Sequence, residues 1–145
     1  MSGHHYQIEV IQFWRGKNHK GYPYPLHWAI FIPTSPGRGH TYEVLGNIDS
    51  FTFHSVRDAP HHSPTMWRGS FTAGYVPITH LSFMEEILRR VPIVRSNLDW
   101  NCQNWVSDAL GRLRMHGLSI NSAVSHSTLR TEMFQLLEAW ETGEI

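Results

Sequence analysis

Apolar and polar positions alternate through the first half of the chain, and the period changes in the second half. Residues 6–14 alternate as a strand, with Ile8 and Val10 on one face. The run His27-Trp28-Ala29-Ile30-Phe31-Ile32 predicts the clearest strand, closed by Pro33. A loop over 34–39, rich in Gly, Pro and Ser, leads into a third strand over 40–45, closed by Gly46. Residues 50–56 and 70–76 read as two more, separated by the polar stretch 57–69. A helical period then takes over at 81–91, with Thr79 or Ser82 as the expected cap and Pro92 as the breaker. A last helix is expected over 128–140, with Leu129, Met133, Leu136 and Leu137 on one face.

Between these two helices lies the most informative stretch, Asn101-Cys102-Gln103-Asn104-Trp105-Val106. From Cys102 onward, Trp105, Val106, Ala109, Leu110 and Leu113 fall on one helical stripe. Asp99 and Asn101 are both good N-cap types, and Gly117 is a fitting stop. Strands first and helices afterwards predict an α+β domain. An antiparallel sheet of about five strands would pack against the cysteine helix and two further helices.

Composition sets the context for the chemistry. A chain of 145 residues, 41% of them hydrophobic, makes one domain with a core of its own. Six tryptophans, five tyrosines and seven phenylalanines argue for folding rather than disorder. Twelve basic residues cancel twelve acidic ones, so no global field or basic run draws the chain to nucleic acid. A single cysteine excludes an internal disulfide and a multi-thiolate zinc site. With neither a signal-peptide pattern nor a long apolar run, the expectation is a cytoplasmic protein without a stable membrane anchor.

A thiol in the first turn of a helix sits beside unpaired backbone N–H groups and the positive end of the dipole, which favour thiolate. It becomes a catalyst when a base takes its proton and returns it to a leaving group. Of the eleven histidines, His27 is best placed, because it heads an apolar strand that holds its ring on a rigid element. His40 heads the next strand and is the candidate orienter of the His27 ring, with both histidines expected to face the cysteine helix. The plainer reading makes Cys102 a small buried hydrophobe and both histidines strand-end residues bonded to backbone.

HWAIFIP at 27–33, a second histidine at His40 and NCQNWV at 101–106 resemble motifs of the lecithin:retinol acyltransferase-like proteins. Those are permuted members of the NlpC-type papain-like superfamily. The histidine-before-cysteine order and the stretch GHTYEVLG at 39–46 are also similar to the PPPDE peptidases. The resemblance implies a permuted papain-like fold with Cys102 as nucleophile, His27 as base and His40 as third member. It departs after the cysteine, where the family's Glu-His-Phe is here Gln103-Asn104-Trp105.

Trp28, Tyr24, Gln103, Trp105 and Trp67 are the candidate substrate-contacting residues. Tyr22, Pro23, Tyr24 and Pro25 lead into His27 as one wall of a cleft beside Trp28, or as an aromatic-proline turn on the sheet edge. The Gln103 amide is expected to face solvent, leaving the Cys102 N–H as the better oxyanion donor. The loop from Pro60 to Gly69 reads as an ordinary connection in preference to a substrate rim. The adjacent pairs His4-His5 and His61-His62 point to opposite faces of an extended chain, so no metal and no cofactor is expected. Two classes of function remain. One is a hydrolase or acyltransferase acting on a small-molecule, lipid or peptide acyl substrate; the other is a binding module with a vestigial triad.

Overall fold

The computed structural model describes residues 4–60 and 64–145. Strands β1 (His5–Phe13), β2 (His27–Ser35), β3 (Arg38–Leu45), β4 (Thr52–Pro60) and β5 (Trp67–Pro77) come first. They are followed by α1 (Leu81–Arg89), α2 (Cys102–Met115), the two-residue β6 (Ser119–Ile120) and α3 (His126–Glu141). The described strands form a six-stranded antiparallel sheet in the order β4-β3-β2-β1-β5-β6, so the expected α+β architecture holds with one short strand more.

Alternation along the central strands fills both faces of the sheet. Ile8, Val10, Trp28, Ile30 and Ile32 join Trp105, Val106, Ala109, Leu110 and Leu113 of α2 in the main core. Ile11, Ala29 and Phe31 form a smaller cluster on the reverse face, with Phe13 packed against it. Burying β2 on both sides explains its nearly continuous apolar run. Pro33 does not end β2. It pairs with Gly39 of β3, and an irregularity after it brings Ser35 opposite Arg38, which absorbs the missing N–H donor.

The helix ends follow local chemistry. Asn101 caps α2: its side chain accepts from the Gln103 N–H at 2.8 Å, and Asn104 accepts from the Asn101 N–H at 2.9 Å. Gly117, just past the end of α2, takes φ +87°, the left-handed conformation a helix stop asks for. Ser125 caps α3 in the same reciprocal way, so the helix begins at His126, two residues before the expected start. Neither Thr79 nor Ser82 caps α1. A 3-10 turn over Ile78–His80 leads into it, and His80 holds the cap position without a side-chain bond.

Candidate active site

The first residue of α2 and the first residue of β2 meet at one end of the sheet. His27 lines the same cavity as the Cys102 thiol, and its Nε2 lies 2.6 Å from Glu43 Oε1 on β3. With Nε2 taken by Glu43, Nδ1 is the ring nitrogen left for a second partner. Strand alternation puts His27 in the set of Ala29 and Phe31, on the reverse face from Trp28. The ring stacks on Phe13, with centroids 6.2 Å apart. At the first residue of a strand this does not separate it from α2, because the Cys102 sulfur lies past the strand end, 3.9 Å from the Leu26 carbonyl.

The electrostatics reinforce the contact. Burial pushes the His27 imidazolium pKa down, but hydrogen bonds to Cys102 and Glu43 and the attraction of their charges outweigh it, raising the value to about 9. Burial also pushes the Cys102 thiol up. The His27 hydrogen bond and charge, the Trp28 backbone N–H and the Arg15 charge together bring it below its ordinary value. Both directions favour a thiolate beside an imidazolium. Glu43 additionally has His54 Nδ1 3.5 Å from its second carboxylate oxygen.

His40 is not part of this group. It pairs with Ile32, an odd number of residues along β2 from His27, so the two rings belong to opposite faces. Its Nδ1 accepts the backbone N–H of Asp58 at 2.9 Å, where β4 is irregular and Asp58 takes φ +51°. Burial, then Arg57, lower its pKa, which keeps the ring neutral for that acceptor role. The group bonded to the His27 ring is therefore Glu43, not His40.

Cys102 and His27 open into a cavity of about 380 Å³. Its apolar walls are Phe13, Trp14, Val44, Leu45, Phe51 and Met66, and its remaining charged lining residue is Arg15. None of the five expected substrate contacts lines it. Trp105 is fully buried against Phe53 in the core, as its place on the helical stripe dictates. Trp67 lies in β5 opposite Phe13, with its indole N–H on Ser70 Oγ at 2.9 Å. Tyr24 is exposed beside Arg15, whose guanidinium lies 5.9 Å from its ring centroid. Trp28 and Gln103 line a separate cavity of about 520 Å³ under α3. The Gln103 amide donates to the Leu26 carbonyl at 2.9 Å instead of turning to solvent. Trp28 and Gln103 thus back the Leu26–His27 segment rather than the cavity that Cys102 lines.

Pro60 and 67–69 belong to strands, so the connection is shorter than expected, and from it Met66 reaches the cavity wall. His61 and His62 lie outside the described residues. Among the described residues no three His, Cys, Asp or Glu side chains gather as a metal site. Nor is any described helix long and apolar enough to cross a membrane.

The chain belongs to a family of unknown function, DUF6540, whose match runs over residues 15–119 and so includes Arg15, His27, Glu43 and Cys102. No curated protein and no solved structure matches it.

Proposed function

We propose that this protein is a thiol-dependent hydrolase or acyltransferase on a permuted papain-like fold, with Cys102 as nucleophile, His27 as base and Glu43 as orienter. The observation that carries the reading is the His27–Glu43 hydrogen bond beside the Cys102 thiol in one cavity, with the two groups His27 and Cys102 each favouring the other's charged form. His27 Nδ1 takes the thiol proton, and the sulfur attacks the carbonyl carbon of an amide, ester or thioester. The developing oxyanion is met by the Cys102 N–H, which at the first helical position has no intrahelical partner. His27 returns the proton to the leaving amine, alcohol or thiol as the carbonyl re-forms, giving an S-acyl Cys102. Attack by water, deprotonated by His27, completes hydrolysis; attack by an amine or alcohol completes transfer. Glu43 fixes the ring orientation and stabilises the imidazolium without taking the proton itself. The chemistry needs a reduced thiol, which fits a cytoplasmic setting.

One observation favours a second reading, a binding module with an idle thiol: Cys102 is only 2% exposed. Alkylation by iodoacetamide across pH separates the two. The enzyme reading expects fast alkylation at neutral pH, slowed about tenfold or more in His27→Ala, the effect of one pKa unit or more on the thiol. Equal rates in the two proteins, or a thiol inert until the protein unfolds, would leave the binding module.

A further inference from the structure

The cavity in front of Cys102 has apolar walls and one cation beyond the catalytic pair, Arg15. Arg15 follows β1 at the start of a loop tied across itself, with the Tyr24 N–H donating to the Gly16 carbonyl at 3.0 Å and the Asn18 N–H to the Tyr22 carbonyl at 2.8 Å. Those bonds hold Tyr24 where its ring receives the guanidinium, at 5.9 Å. A ring face takes up one side of the guanidinium plane and leaves its N–H edge available. Among the described residues no carboxylate is ion-paired with Arg15, whereas Arg38, Arg57, Arg89, Arg90 and Arg112 each have one. An exposed cation beside a ring, with no ion-paired carboxylate among the described residues and lining an apolar cavity, is suited to a bound anion.

We propose that Arg15 makes this site selective for acyl donors that carry an anionic group, the guanidinium binding the anion while the apolar walls hold the body of the substrate and its carbonyl lies at Cys102. The inference rests on the thiol reading above and specifies its substrate class. Tyr24 then acts as a positioning residue for Arg15 rather than as a wall of the site. Carboxylates and phosphates share the required chemistry, since the guanidinium edge matches both.

Iodoacetate and iodoacetamide test this without a known substrate, because each alkylates the thiolate with loss of iodide and they differ in the anionic group. The ratio of their rates is measured in the wild type, Arg15→Gln and Arg15→Lys. The lost charge alters the thiol equally toward both reagents, so the ratio cancels that effect. The expected result is a fall of about fivefold in the iodoacetate-to-iodoacetamide ratio in Arg15→Gln, the scale of one partly exposed ion pair, with Arg15→Lys in between. The wild-type preference should shrink with added salt. Protection of Cys102 from iodoacetamide by phenylacetate, phenyl phosphate and neutral phenylacetamide then names the anion. The better protector in the wild type, weakened in Arg15→Gln, is the preferred group. Fast alkylation with a ratio indifferent to Arg15, or equal protection by all three compounds, overturns the anion site and leaves the thiol reading standing. Slow alkylation by both reagents overturns both.

Discussion

At the scale of single residues, the arrangement turns on what holds His27. Glu43→Gln keeps a hydrogen-bond acceptor but removes the charge that supports the imidazolium, so neutral-pH alkylation should slow, by less than in His27→Ala. His40→Ala should leave the alkylation rate at the wild-type level, since His40 serves the Asp58 N–H on β4. A His40→Ala rate as low as that of His27→Ala would restore His40 to the site. The pKa shifts also make a stability prediction. His27, raised to about 9, contributes stability fully present below about 6.5 and lost as pH rises through about 9. Cys102, lowered, contributes stability present above its unfolded value and lost as pH falls through its folded one. Removing Cys102 takes away two of the causes that raise His27, and burial, the largest cause, then acts against Glu43 alone. The His27 pKa followed by NMR should therefore fall below about 9 in Cys102→Ala; an unchanged value would mean that the thiol does not support the imidazolium. The proposed nucleophile and base, Cys102 and His27, were legible in the sequence as candidates from their places at the heads of a helix and a strand. Glu43 was not, because the face it shares with His27 depends on the β2–β3 register, and an irregularity beside Pro33 sets that register.

At the scale of elements, the cap of α2 fixes the position of Cys102. The reciprocal bonds between Asn101 and the Gln103 and Asn104 positions orient the first turn, where Cys102 sits. Asn101→Ala should cost about 1 kcal/mol, the usual effect of losing such a cap. It should also slow alkylation of the folded protein, because the frayed first turn no longer presents the sulfur to His27. Chemical denaturation and iodoacetamide rates check the two effects separately, and a normal rate in a destabilised variant would show that the turn holds without its cap. This helix was readable because an apolar stripe, a cap residue and a stop glycine all agreed. The edge strand β4 was only half readable. Arg57 and Asp58 in its second half are polar because an edge strand buries little, and polar residues followed by a proline carry the same signal as a loop. β6 offers two residues, too few for any period, and its pairing with Gly74 and Tyr75 is set by where α2 ends.

At the scale of the whole molecule, the sheet and α3 are joined through one buried amide. Gln12 of β1 is 1% exposed, and its Nε2 donates to the Arg68 carbonyl of β5 at 2.9 Å and the Met133 carbonyl of α3 at 2.7 Å. Arg68 extends the junction: its guanidinium stacks on Trp140 of α3 at 3.5 Å and donates to the carbonyls of Thr65 and Trp67 beside the cavity residue Met66. Docking of α3 and the shape of the cavity wall are thus coupled through β5. The sequence could not announce this, since a glutamine between Ile11 and Phe13 reads as the polar half of an alternating strand. Gln12→Leu should cost about 1–3 kcal/mol, the effect of leaving buried carbonyls without their donor. Gln12→Glu has nearly the same shape, but its carboxylate can only accept, and it would face two carbonyl oxygens. Burial and those oxygens would raise the pKa of the new carboxyl, so its contribution is complete below the unfolded value of about 4.3 and is lost as pH rises through the folded value. At pH 7 Gln12→Glu should therefore be less stable than Gln12→Leu, and the gap should narrow as pH falls toward 5, where the protonated acid can donate one bond. Thermal midpoints of the two variants at several pH values decide it. A gap independent of pH would mean that the junction tolerates the charge and that α3 is held by its apolar face alone.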